Sequence, residues 1–184
     1  MPPLPAQRRN EPPVKLRSIL DVLELNVAIF ALLLNFPWEF LQAPLFKDMA
    51  SAPHWAAVKV CGLSTLGDAL IALVAFWSVA ATVRSRRWIL RPTPRQVAGF
   101  VAVGLVITVL AERLGTGLLH RWAYAPAMPV IPVLGVGLSP ILQWVALPLA
   151  LVWFVRRQLS QVPSASSTRR AGPSPTRTCG ASSS

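Results

Sequence analysis

The sequence predicts an all-α integral membrane fold, a four-helix transmembrane bundle with disordered N- and C-terminal tails, and three observations carry that prediction. Hydrophobic residues make up 53% of the 184 residues and the mean hydropathy is +0.50, which is too apolar for an ordinary soluble domain of this size. The apolar residues gather in four blocks, each able to cross a hydrocarbon core that needs about 20 residues. The basic residues fall between and beyond these blocks rather than along one amphipathic surface.

Residues 1–18, rich in proline and charge, read as a disordered cytoplasmic tail. The transmembrane domain covers 19–158, with spans at about 22–45, 57–83, 97–119 and 138–155. Pro37 interrupts the first span. The second ends at Arg84, Arg86 and Arg87, which cannot enter hydrocarbon cheaply, and Pro92 and Pro94 then break the chain. The third opens with Gly99 and Gly104 and carries Glu112 and Arg113 deep inside it. The fourth stops at Arg156 and Arg157. Between them, residues 120–137 hold Pro126, Pro129 and Pro132 in an otherwise apolar stretch, suited to an interfacial or partly re-entrant loop. The Ser/Pro/Arg-rich stretch 159–184 reads as a second disordered tail.

The start of the chain resembles a secretory signal in having basic residues before an apolar run. That run exceeds the short core of a signal and lacks a cleavage site, so it is expected to stay as an anchor. Basic residues crowd the N-tail, the 84–95 connection and the start of the C-tail, whereas the other two connections hold only Lys47 and Arg121. The positive-inside rule therefore puts both termini and the 84–95 connection in the cytoplasm, on the inner side of a plasma (inner) membrane. The same distribution explains the net charge of +11 without nucleic acid, because no stacking aromatics alternate with the arginines. Cys61 and Cys179 are expected to face different compartments and to form no disulfide.

Each span carries a polar stripe. Asn35, Glu39 and Gln42 are spaced i, i+4, i+7; Cys61, Ser64, Thr65 and Asp68 follow on the second span, Thr108, Glu112 and Gly115 on the third, Ser139 and Gln143 on the fourth. Such spacing puts each set on one helical face. At about 1.5 Å per residue, Glu39, Asp68 and Glu112 all reach the midplane or outer half. A carboxylate facing lipid there costs about 2.5–3.5 kcal/mol, so the three acids are expected to face one another, a wet cavity or Arg113. Pro37 frees the carbonyl of Leu33 one turn from Glu39, and Pro148 frees that of Trp144.

These features make Glu39, Glu112 and Asp68 the candidate catalytic groups, with Glu39 or Glu112 exchanging a proton and Asp68 tuning its partner. Asn35, Arg113, His120, Trp122, Tyr124, Ser139 and Gln143 are candidate substrate-binding residues, Arg113 holding an anionic group or balancing the acids. His54, Trp55, Trp122 and Tyr124 also suit an aromatic and polar belt at the headgroups. Alternatively, residues 120–124 form a lid over the acids. The acids can equally serve as polar glue between helices. No HxxxH or CxxC spacing supports a metal, no cofactor motif is present, and Ser139 lacks a nucleophile-elbow context.

The strings NFPWEFLQAPLF (35–46), GDALIAL (67–73), AER (111–113), RWAY (121–124) and MPVIPVLGVGLSPILQW (128–144) resemble a family of small uncharacterised bacterial four-helix integral membrane proteins. The resemblance covers roughly residues 20–157 and implies the four-helix membrane fold without an activity. A fainter likeness is to the small membrane subunits of heterodimeric lycopene cyclases; their acid-containing motifs are not reproduced, so no catalytic residue carries over. The expected function is binding or processing of a lipid-soluble or amphipathic small molecule at an acidic intramembrane site near the outer leaflet. The alternatives are a proton-linked carrier, which without an internal repeat needs a homodimer, and a non-catalytic subunit or assembly factor. The expected partners are the bilayer, a lipid-soluble ligand, and a second copy or another membrane protein.

Overall fold

The computed structural model describes residues 22–160, so the expected tails lie outside the described residues except for Leu159 and Ser160, which continue the last helix. Four helices, α1 (Leu23–Gln42), α2 (His54–Thr82), α3 (Pro94–Arg113) and α4 (Leu138–Ser160), make up the described chain. With their short extensions, Leu23–Leu45, His54–Thr82, Pro94–Leu118 and Leu138–Leu159 are each long and apolar enough to cross a membrane, at mean hydropathies of 1.3 to 2.0.

Local chemistry sets the helix ends. α3 starts three residues before the expected position because Thr93 and Gln96 form a reciprocal capping box: Thr93 Oγ1 accepts from the Gln96 N–H at 3.3 Å and Gln96 Oε1 from the Thr93 N–H at 2.8 Å. Pro94 follows at the first helical position, where its missing N–H costs nothing. α2 ends where Arg84 takes a left-handed conformation (φ 53°) and the Ser85 N–H reaches back to the Ala80 carbonyl at 3.0 Å, satisfying an orphaned acceptor as in a Schellman turn. α3 runs on into one wide π turn, Leu114–Leu118.

The helices form a ring in which α1 packs on α2 and α4, and α3 on the same two. The α2 side of the core is a stripe of small residues, Ala69, Ala72, Ala75 and Ala80, facing Val27 and Ala31 among others in one cluster; small side chains let helix backbones approach closely. At the arginine-bearing end the short helical turn Arg86–Leu90 packs on α2 and α4. Its Trp88 lies 5.8 Å from the rings of both Phe76 and Phe100 and donates to the Phe76 carbonyl at 3.3 Å. Arg86 pairs with Glu24 at 3.0 Å, tying that turn to the start of α1.

The opposite end is capped by its two connections. Phe46 and Tyr124 form a β-bridge, flanked by hydrogen bonds from the Lys47 N–H to the Ala123 carbonyl (2.8 Å) and from the Ala125 N–H to the Leu45 carbonyl (2.9 Å). Within 120–137, expected as an interfacial or partly re-entrant loop, β1 (Val130–Ile131) pairs antiparallel with β2 (Val136–Gly137). Gly135 supplies the positive φ (62°) of the turn, and Val136 and Met128 are buried beneath it.

Candidate functional site

The polar stripes of α1 and α4 meet below the cap. Asn35, Glu39, Gln42 and Gln143 are all buried, at 3 to 7% exposure, and Gln143 is the hub. Its Nε2 donates to Asn35 Oδ1 at 2.8 Å, Asp68 Oδ2 at 2.9 Å and Glu39 Oε1 at 3.2 Å. Gln42 Nε2 donates to Glu39 Oε1 at 2.7 Å and to Gln143 Oε1 at 3.2 Å. Ser139 Oγ donates to Gln42 Oε1 at 2.8 Å, and the Asn35 amide is anchored on the Ala31 carbonyl at 2.8 Å. Thus α1, α2 and α4 are cross-linked by one network that ends near the cap in Ser139.

The donor count of this network is short. A side-chain amide nitrogen has two hydrogens, yet that of Gln143 serves three acceptors. Neither Glu39 nor Asp68 has an ion-pair partner among the described residues. Arg113, expected to balance the acids, is exposed and donates instead to the Leu134 carbonyl at 3.0 Å, lying against Gly135 in the cap. Residues 112 and 113 point about 100° apart on a helix, so the arginine next to Glu112 in sequence serves another surface.

Glu112 belongs to a second, neighbouring group. Its Oε2 accepts from the Tyr124 hydroxyl and from Trp122 Nε1, the latter at 3.3 Å, while Glu39 feels it only through space. Trp122 lies over Gly115, where any Cβ would strike the indole. Burial, and then the bond to Glu112, push the Tyr124 hydroxyl above its ordinary value, so it stays a protonated donor at neutral pH. Residues 122 and 124 thus meet one of the three acids, Glu112, and not Glu39 or Asp68. His120 takes no part: it is exposed, at a positive φ of 47°.

On α2 the inward groups are Cys61, Thr65 and Asp68, whereas Ser64 is exposed. Cys61 is a buried free thiol, its Sγ 3.7 Å from the Glu39 carbonyl, and Thr65 donates to the Cys61 carbonyl at 2.8 Å.

The two prolines part company. Pro37 is exposed and the carbonyl it frees belongs to Leu33, itself 62% exposed, so the expected opening beside Glu39 faces outward. Pro148 is buried and lines a cavity of about 10 Å³ with Asn35, Gln143 and Trp144. That is about the space of one water centre, with Ala72, Phe100, Leu147 and Leu151 as apolar walls beside the Asn35 and Gln143 amides; Pro148 leaves the Trp144 carbonyl without its helical donor. Nearby, Trp144 Nε1 acts on the Asp68 carboxylate without closing a hydrogen bond. Gln42, absent from the sequence-based list of candidate site residues, proves central, although its i+7 spacing from Asn35 was the signal for it.

Chemically, the arrangement offers two carboxyls from different helices joined through one amide, with a hydroxyl leading toward the cap and a water-sized space leading inward. Comparison with protein-family models, with curated proteins and with solved structures finds no match to this chain.

Proposed function

We propose that the chain is a multi-pass integral membrane protein of a bacterial plasma membrane whose Glu39–Asp68 pair holds one proton and exchanges it with a lipid-soluble or amphipathic small molecule near the outer leaflet. The observation that carries this reading is the convergence of both carboxylates on the Gln143 amide without a cation. Two full negative charges in such a place repel strongly at low dielectric, and a proton between them supplies the donor that three acceptors lack. A carboxyl that keeps its proton near neutral pH is the group that general acid chemistry requires. In this reading Gln143 and Gln42 orient the pair, while Glu112, held by Trp122 and Tyr124, fixes the cap above it.

The membrane part of the reading rests on the four apolar helices and the gathering of arginines at one end. Cysteine labelling is expected to find residue 90 and the C-tail inside and residues 50 and 128 outside. Residue 90 outside would overturn the orientation. For the site, Glu39→Gln and Asp68→Asn should insert normally, remove a protonated-carboxyl band from the infrared difference spectrum, and fail to restore the lipid and pigment profile of a deletion strain. Full restoration by both variants leaves the acids as helix glue.

A second reading is favoured by the unbroken string Ser139–Gln42–Glu39–Gln143–Asp68 beside a water-sized cavity. In that reading Glu39 and Asp68 are the proton carriers and the Gln42 and Gln143 amides only position them, as in a proton-linked carrier working as a homodimer. pH-driven flux in liposomes, with an unchanged lipid profile in the deletion strain, would select it.

A further inference from the structure

Phe100, Gly104 and Thr108, four residues apart, are the buried residues of α3, and Glu112 follows one more step toward the cap, each step rising about 6 Å. Gly104 lies under the Trp144 ring, and Trp144 Nε1 acts on Asp68. Thr108 therefore stands on α3 between the turn that meets the Asp68 side of the network and the turn that bears Glu112. Its hydroxyl is unused. Thr65, Ser78, Thr82 and Thr116 each donate to the carbonyl four residues back, the usual bond of a hydroxyl on a helix. Thr108 does not: it is 7% exposed, and its Oγ1 is buried without a hydrogen-bond partner among the described residues. At Glu112 both bonds from the cap, those of Tyr124 and Trp122, fall on Oε2, which leaves Oε1 to take up and release a proton. Glu112 is only partly buried. Glu39 is buried, yet it feels the charge of Glu112 through space.

We propose that Glu112 loads the Glu39–Asp68 pair with its proton from water on the cap side, and that the Thr108 hydroxyl hands the proton across. Water gives a proton to Glu112 Oε1; Glu112 passes it to Thr108 Oγ1 as Thr108 releases its own hydroxyl proton to the pair. Glu112 is left a carboxylate, Thr108 a neutral hydroxyl, and the pair regains the one proton it had given up. No electrons move. A hydroxyl suits the middle place because a single oxygen both donates and accepts, whereas the amides of Gln42 and Gln143 divide those tasks between two atoms. The proposal rests on the reading that the pair holds one exchangeable proton, and it is the same whichever acceptor takes that proton next.

The test follows the protonated-carboxyl infrared band of the purified full-length chain in detergent after rapid mixing into deuterated water at constant acidity. The band of the pair is the one lost in Glu39→Gln, and its downward shift times the replacement of proton by deuteron. Glu112→Gln keeps an acceptor for Tyr124 and Trp122 but carries no exchangeable acid proton, so it should leave the band in place and slow its shift by at least about tenfold. Thr108→Val should slow the shift likewise, and Thr108→Ser, which restores a hydroxyl, should recover the rate. Equal rates in the unaltered chain, Glu112→Gln and Thr108→Val overturn the proposal and give the loading to the partly exposed Asp68 itself. A Thr108→Ser variant as slow as Thr108→Val overturns the part given to the hydroxyl, because packing rather than proton transfer then sets the rate. Absence of the band from the unaltered chain would sink the shared-proton reading and this proposal with it, a result distinct from a band that is present and shifts at an unaltered rate.

Discussion

The two halves of the bundle are held by different forces. At the capped half, amides and carboxyls of α1, α2 and α4 are bonded to one another, and two loops are zipped by a β-bridge. At the arginine-bearing half the contacts are alanines, aliphatic side chains and the Phe76–Trp88–Phe100 group. In the proposed membrane setting the difference matters, because lipid tails are as apolar as leucine and apolar burial alone gives helices little reason to associate. Close packing of small residues can hold the arginine-bearing half together but tolerates small slides. The Gln143 network does not: a slip of one turn separates every donor on one helix from its acceptor on another. The capped half therefore sets the register, and the other half supplies contact area.

The sharpest way to break this comparison is Gln143→Leu. It strips the donor from Asn35, Glu39 and Asp68 at once, and the expected loss is about 2–5 kcal/mol in denaturant unfolding of the detergent-solubilised chain. Ile89→Ala, in the apolar half, should cost about 2–3 kcal/mol and leave the infrared carboxyl bands unchanged. An unperturbed network in Gln143→Leu, or a larger loss from Ile89→Ala, would reverse the ranking of the halves.

Gly104→Ala probes the boundary between them. Its new Cβ would strike the buried Trp144 ring, with an expected loss of about 1–3 kcal/mol and a shifted indole emission. Gly62→Ala meets nothing within 4 Å and serves as the control, expected to be neutral or slightly stabilising. Equal effects at the two glycines would remove the close contact from the account.

Tyr124→Phe sharpens the comparison on the capped side. Amide exchange at Lys47 and Ala125, whose N–H groups bond across the two loops to the Ala123 and Leu45 carbonyls, should accelerate while that of Val97, at the far end, stays the same. The folded-state hydroxyl titrates above its unfolded value, raised by burial and by Glu112. The sign is fixed by proton counts: above pH of about 10 the unfolded chain has lost the proton that the folded chain keeps, so stability is full below that pH and falls as pH rises. The half-buried position moderates the effect through solvent screening. Tyr124→Phe should flatten this alkaline slope; an identical slope in the variant would assign it elsewhere.

The smallest effects separate the prolines. Pro37→Ala should match the unaltered chain in stability and in whatever phenotype the deletion strain reveals, because Pro37 faces outward. Pro148→Ala returns a hydrogen-bond donor to the Trp144 carbonyl at the wall of the small cavity, and should shift the Glu39 and Asp68 carboxyl bands. The opposite pattern would restore the outward proline to the site.

Much of this was legible in the chain itself. Block length and arginine placement determined four helices and a common arginine-bearing end, because chain length against hydrocarbon thickness and the cost of burying charge are local quantities. The i, i+4, i+7 spacing determined that Asn35, Glu39 and Gln42 share a face, and Ser139 and Gln143 another. The same arithmetic turns Pro37 away from that face, since two residues from both Asn35 and Glu39 is about 200° around the helix, and this overrides the expectation that its freed carbonyl opens beside Glu39. The Thr-Pro-x-Gln cap at 93–96 was equally readable as a helix start.

What the tertiary structure decided is which faces meet. Periodicity fixes a side chain's angle about its own axis but says nothing of the helix it will face. Gln143 thus became the hub only when α4 docked on α1 with α2 beside it. Glu112 found Trp122 and Tyr124, rather than Arg113 or the other acids, because the 120–137 segment folds back over α3 through a hairpin and a bridge to Phe46. The bridge to Phe46 joins segments far apart in sequence, and although Glu112 stands only 10 and 12 residues from Trp122 and Tyr124, no helical period encodes the fold-back that brings them together.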